Sequence, residues 1–308
     1  MKTLCIFFIL FSTIFSLDAL EKQEASVFAG NVIASSALNT ETGLFDHQIF
    51  LSFTHLNGFY DNQSQLVSDV NMNKYGFELQ MTYGLIKNVD FTLDIPGYQI
   101  HNRGRSSFSF GDIRAYFGFQ LIQEGKIRYA PTIRFLVGEI FPSGKYDFLD
   151  EWFGGGDGSG IGAFSTFLMF IASQTYFQSH PLRWTLNVYY ALYTKANLMG
   201  KNVYTDFPGE VKPGAQLTTD LAFEYKFNAS WGCGMDIFFE QQNSSAFHSF
   251  FPEDPISHLP SSYTLSLAPS IEYNFNEKMN MIFGSWCTLV GRNDFSFQTM
   301  LFGFTYEF

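Results

Sequence analysis

Charge is what this chain lacks first. Only 15% of its 308 residues are Asp, Glu, Lys or Arg, against about 25% in a soluble domain. Basic residues are the scarcer sign: 18 Lys and Arg against 29 Asp and Glu leave a net charge of −11. That excludes nucleic acid as a partner, because phosphate binding needs basic clusters. Long hydrophobic runs are also missing beyond the amino terminus, which excludes a bundle of spanning helices of roughly 20 apolar residues each. Of three cysteines, Cys5 falls in the leader, and Cys233 and Cys287 fall on strands that are not neighbours, so no disulfide is expected. The histidines (His47, His55, His101, His180, His248, His258) are scattered without metal-ligand spacing. Gly154-Gly155-Gly156-Asp157-Gly158 has no following lysine and reads as a flexible loop, not a phosphate cradle. No cofactor is implied.

What is abundant is aromatic side chains, 19% of the chain. High aromatic content, low charge and no long apolar run together describe a transmembrane β-barrel, in which apolar residues are spread one in two. The last residues show the pattern most clearly. Phe308, Tyr306, Phe304, Phe302 and Met300 alternate with Glu307, Thr305, Gly303, Leu301 and Thr299. Side chains alternate across a strand, so one face is greasy and the other mostly small or polar. A final strand ending on an aromatic of its greasy face resembles the closing strand of bacterial outer-membrane barrels. There, such an ending (here Phe304, Tyr306 and Phe308) marks the chain for the outer-membrane assembly machinery.

The amino terminus fits export. Met1-Lys2-Thr3, an uncharged run from Leu4 to Leu17 and then Asp18-Ala19-Leu20-Glu21-Lys22 form a secretory signal peptide, taken as residues 1–19. Residues 20–45 are weakly patterned and are expected to be a periplasmic stub or a plug. Residues 46–308 are expected to form one domain, an all-β, antiparallel, up-and-down transmembrane barrel of about 12 strands. The strands are placed near 47–57, 74–86, 89–100, 108–122, 126–140, 160–177, 182–194, 213–227, 230–242, 262–275, 278–291 and 295–308. Tight polar turns (Lys87-Asn88, Gln123–Gly125, Gln178–Pro181, Asn228-Ala229, Asn276-Glu277) alternate with mostly longer loops at 58–73, 101–107, 141–159, 195–212 and 243–261. Short turns at one rim and long loops at the other are the periplasmic and extracellular ends of such a barrel. Ala130-Pro131 and Ala268-Pro269 each cost a ladder hydrogen bond and suggest local bulges.

Several short segments carry a family resemblance over residues 45–308. Tyr83-Gly84-Leu85, Asn88-Val89-Asp90 and Ile95-Pro96, then Gly111-Asp112, then Phe141-Pro142-Ser143-Gly144-Lys145-Tyr146 resemble, in that order, the outer-membrane barrels named for the MetA pathway of phenol degradation. The chain departs from them at Pro-Ser-Gly, where Pro-Thr-Gly is expected, and the loop Asp147–Gly160 has no counterpart. The resemblance implies a small-molecule channel or transporter in the cell outer membrane of a Gram-negative bacterium. Passive uptake of small solutes, including aromatic or hydrophobic ones, is the expected function, with lipid, solutes and assembly machinery as partners.

Alternation turns a set of ionisable residues inward: Arg114, Arg128, Arg134 and Arg183 on one wall, and Glu78, Asp90, Asp94, Asp112, Asp220, Glu224, Asp236, Glu240 and Glu272 on the rest. As a pore lining they would set a transverse field and tune selectivity. As a packed interior they would pair with one another and fill the barrel. Both readings stand. A non-conducting structural or adhesive barrel acting through its long loops is the alternative function. A catalytic alternative is remote: His55-Leu56-Asn57 resembles the active-site segment of outer-membrane phospholipases but has no serine after the histidine, so acyl transfer has no nucleophile.

Overall fold

The computed structural model describes residues 28, 30–68, 72–102, 104–125, 130–153, 156–177, 180–251 and 257–308. The expected signal peptide and Arg128 lie outside the described residues. In chain order the strands are β1 (Phe45–Tyr60), β2 (Leu66–Ser68), β3 (Met72–Ile86), β4 (Val89–Asn102), β5 (Arg105–Phe110), β6 (Ile113–Ile122), β7 (Thr132–Phe141), β8 (Ser165–Tyr176) and β9 (Leu182–Tyr193). Then follow β10 (Ala196–Leu198), β11 (Gly209–Lys212), β12 (Gln216–Lys226), β13 (Trp231–Gln242), β14 (Ser245–Ser249), β15 (Ser257–Leu259), β16 (Ser262–Asn276), β17 (Met279–Arg292) and β18 (Asp294–Glu307).

The long strands pair antiparallel, each with its neighbour in sequence, and β18 returns to β1 to close a 12-strand barrel. The closing seam runs from Asp46↔Glu307 to Tyr60↔Asp294 with one irregularity between Leu56 and Gly58. Closure of β18 on β1 leaves no sheet edge at the seam, as crossing a bilayer with strands requires. The outward set is apolar: Ile49, Leu51, Tyr75, Phe117, Leu168, Phe302 and Tyr306 are exposed. Every such group would cost hydration in a soluble protein and is at home against lipid. At the Lys87-Asn88 turn the chain reverses through a left-handed residue, Asn88 at φ 67°, a conformation that asparagine tolerates.

Three features depart from the pattern in the sequence. The fourth stave is broken at Gly111-Asp112. Below the break β6 pairs with β4 from Val89↔Phe119 to Asp94↔Arg114; above it β5 pairs with β4 alone, from Gly97↔Phe110 to Asn102↔Arg105. The two prolines differ: β7 begins at Thr132, just after Pro131, and its ladder with β6 shifts register close by at Gln120/Ile122, whereas Pro269 stays in register opposite Met235 and β16 shifts against β17 at Leu265/Ser266 instead. The loops above β9, β12 and β13 are not structureless, because β10, β11, β14 and β15 form a separate four-stranded sheet there.

The barrel also has a greasy interior on one side. Leu136, Ile140, Phe167, Ile171, Ala191 and Tyr193 turn inward from β7, β8 and β9 and pack together with Tyr116 of β6. This fixes the register of β8, whose two faces are both apolar: Phe167 and Ile171 are buried inside while Leu168 and Phe170 are exposed.

Candidate functional site

The interior divides into two levels. At the short-turn end, the residues before β1 run across the lumen and are held by side chains of opposite walls. On the β12–β13 side Asn31 Nδ2 donates to Glu224 Oε2 at 3.3 Å, and the Ala34 N–H donates to Asp236 Oδ1 at 3.1 Å. Val32 lies against Gly284 of β17, where a β-carbon would meet its side chain. Further along, Arg134 Nη1 donates to the carbonyls of Ser36 and Leu38 at 3.1 and 3.3 Å. Gln120 both accepts the Asn39 N–H at 3.0 Å and donates to the Ala37 carbonyl at 3.1 Å. The Thr40 N–H donates to Asp90 Oδ2 at 3.1 Å, and Thr42 bridges to Gly84. These amides find wall side chains as partners in place of a ladder, as buried backbone groups must.

The same wall residues pair with one another. Arg134 Nη2 donates to both oxygens of Asp90, at 2.6 and 2.7 Å, and Gly118 lies between them with no side chain to block the approach. Arg114 reaches Glu78 at 2.7 Å and Asp94 at 3.2 Å; Arg183 reaches Glu224 at 2.6 Å; Lys226 reaches Glu272 at 2.9 Å. The basic and acidic groups thus meet along the wall, between near-neighbour strands, and not across the lumen. Asp90, Asp94, Asp220, Glu224, Asp236 and Glu272 are buried. Glu240 accepts from Gln216 at 2.7 Å, and Gln216 in turn accepts from the Tyr193 hydroxyl at 2.6 Å.

Asp112 does not line the barrel with the others. It sits in the break of the fourth stave, accepting the Gly144 N–H at 2.9 Å and the Ile161 N–H at 2.7 Å, so it anchors the loop that follows β7. Ser143 completes the repair by accepting the Ile113 N–H and donating to the Gly111 carbonyl.

Above the crossing segment the lumen opens into a cavity of about 1520 Å³. Phe50, Leu56, Met72, Ile100, Tyr98, Phe153, Tyr204, Trp286 and Phe297 give it aromatic and aliphatic surface; Ser52, Thr54, Lys74, Glu78 and Thr299 give it polar groups. Of the charged residues expected on the lumen, Glu78 borders this space. Lys74 does so as well, and inward alternation of β3 from Met72 could have found it. His55 is on the other side of the wall: its Nδ1 hydrogen-bonds Asn73 Oδ1 at 2.9 Å, and no serine follows it.

The terminal aromatics close the seam at the short-turn rim. Phe308 exchanges hydrogen bonds with Phe45, each at 2.9 Å, and its ring stacks on His47 with centroids 5.0 Å apart. Phe304 and Tyr306 lie on the same outward row of β18, opposite Ile49 and His47.

A closed antiparallel barrel with an apolar exterior and a largely polar, paired interior has the architecture of an outer-membrane barrel. The family model described as the putative MetA pathway of phenol degradation matches residues 60–286, and the chain belongs to that family. Among solved structures it is similar to an outer membrane channel from Pseudomonas putida F1, at 11% identity and a TM-score of 0.69, over 90% of this chain and 100% of that one. The β domain of the Bordetella autotransporter BrkA matches at 8% identity and a TM-score of 0.49, over 87% of this chain and 100% of that one. The P. putida toluene transporter TodX matches at 11% identity and a TM-score of 0.36, over 88% and 91%. The first of these fixes the fold; the other two are too distant to add to it. No curated protein matches the sequence.

Proposed function

We propose that this protein is a passive outer-membrane channel for small solutes with apolar or aromatic bodies. The observation that carries the reading is the cavity of about 1520 Å³ inside the barrel, walled by aromatic and aliphatic groups and interrupted by a few polar ones, the usual make-up of a small-molecule site. Membership of a family described by phenol degradation and a shared fold with a channel from P. putida F1 agree with it. In this reading the long-loop rim faces outward, solutes enter the cavity there, and residues 30–44 act as a plug at the short-turn mouth. The inward ion pairs then serve as its frame, and Phe304, Tyr306 and Phe308 serve as the assembly signal.

Swelling of liposomes containing the purified barrel, with phenyl β-D-glucoside and arabinose as probes that a bare bilayer excludes, tests the proposal. The expected result is phenyl glucoside entry that rises when residues 30–40 are deleted. If neither chain admits either probe, the channel reading fails. The second reading, a non-conducting barrel that acts through its loops, draws on the tight pairing at the short-turn end, where Asp90 is fully buried and Arg134 nearly so. That reading predicts swelling by neither protein.

A further inference from the structure

The inward rows of the barrel are set by register, and one of them has an unusual composition. Trp286 of β17 lies opposite Thr299 of β18, Thr299 opposite Thr54 of β1, and Thr54 opposite Lys74 of β3. All four border the cavity. The row therefore runs from an indole, over two hydroxyls, to an ammonium group.

Lys74 stands apart from the other cations of the lumen. Arg114, Arg134, Arg183 and Lys226 each hold a carboxylate, whereas among the described residues none lies within ion-pair distance of Lys74. Its Nζ sits 3.6 Å from the centroid of the Tyr98 ring. Gly76 leaves room for this ring, because a β-carbon there would crowd Tyr98 and collide with Ser52 Oγ. A cation over a ring is partly compensated and still lacks an anion. At the far end Trp286 is pinned by Nε1 donation to Ser266 Oγ at 2.7 Å and meets Phe297 edge-on at 4.9 Å. Between them the Thr54 and Thr299 hydroxyls bond to each other at 2.8 Å. Neighbouring strands lie about 4.8 Å apart, so the three spacings from β17 to β3 leave room for one ring and its substituent.

We propose that this row is a binding subsite for a single-ring aromatic carboxylate, with the carboxylate on Lys74 and the ring against Trp286 and Phe297. Its role in uptake rests on the channel reading; the binding itself does not. A neutral aromatic would leave Lys74 without an anion, and a small aliphatic acid would leave the indole uncovered, so the row selects for both features at once.

The test is fluorine NMR of para-fluorobenzoate with the detergent-solubilised full chain, with acetate as competitor and para-fluorobenzyl alcohol as the neutral analogue. Lys74→Gln should weaken para-fluorobenzoate binding by at least about tenfold, the loss of one charge-assisted hydrogen bond. It should leave the alcohol's weaker binding unchanged, and Lys74→Arg should restore most of the acid's affinity. Heat-modifiable mobility on gels establishes that each variant is folded. Unchanged para-fluorobenzoate binding in folded Lys74→Gln would overturn the proposal, and so would acetate competing as well as benzoate. Liposome swelling with arabinose reads the channel separately: binding without swelling removes the channel and keeps the subsite, and swelling without binding does the reverse.

Discussion

One nitrogen of Arg134 holds both carboxylate oxygens of Asp90, at 2.6 and 2.7 Å, from two strands away. The other terminal nitrogen of the same guanidinium holds the carbonyls of Ser36 and Leu38. A single side chain therefore ties the wall to the segment that crosses the lumen.

Removing one partner of this pair should be costly. Asp90→Asn leaves a buried guanidinium without its counter-ion, a loss of about 3–5 kcal/mol for a buried pair. The expected outcome is a lower urea midpoint for loss of heat-modifiable mobility, partly recovered by Asp90→Asn combined with Arg134→Met. Full wild-type stability in the single variant would mean that water reaches Arg134.

Gly84 is where the crossing segment lies closest to the wall. A β-carbon at that position would fall onto the backbone of Glu41. Gly84→Ala should push the segment off β3 while the barrel closes as before. Phenyl β-D-glucoside entry into liposomes should rise with unchanged gel mobility; equal entry by variant and wild type would detach Glu41 from any role in closing the short-turn mouth.

The seam predicts an assembly defect. Phe308 supplies the last ladder bonds to Phe45 and a ring stack on His47, with such ring pairs worth about 0.5–1.5 kcal/mol. Deleting Phe308 should lower the amount of barrel in isolated outer membranes, whereas Glu307→Gln, on the lumen side, should be tolerated. Equal levels for both variants would remove the terminal aromatic from assembly.

The barrel itself was legible because alternation is local: each stave announces its two faces without reference to its neighbours. Inward Asp90, Arg134 and Glu224 could be read in this way. Their partners could not, because pairing depends on the relative register of strands far apart in sequence and on gaps such as Gly118. The segment before β1 shows no period, since its peptide groups bond mainly to wall side chains and meet a strand only at its end, where Thr42 bridges to Gly84 of β3. The sheet of β10, β11, β14 and β15 is built of pieces of three to five residues, too short for alternation to show. Gly111-Asp112 was visible as a family feature, but a break in the stave leaves no mark in a two-residue motif.

The lumen-crossing segment also constrains the order of events during biogenesis. It is covalently the lead-in to β1, and its hydrogen-bond partners lie on β4 and β7 on one side and on β12 and β13 on the other. Those partners surround it only when the sheet has curled into a ring. The peptide must therefore be laid across the nascent sheet before β18 zips onto β1, or be threaded into a finished cylinder through its narrow mouth. In the first case the Ala34 amide becomes protected together with the seam, and in the second it lags behind, so pulse-labelling of that one amide during refolding acts as a clock for barrel closure.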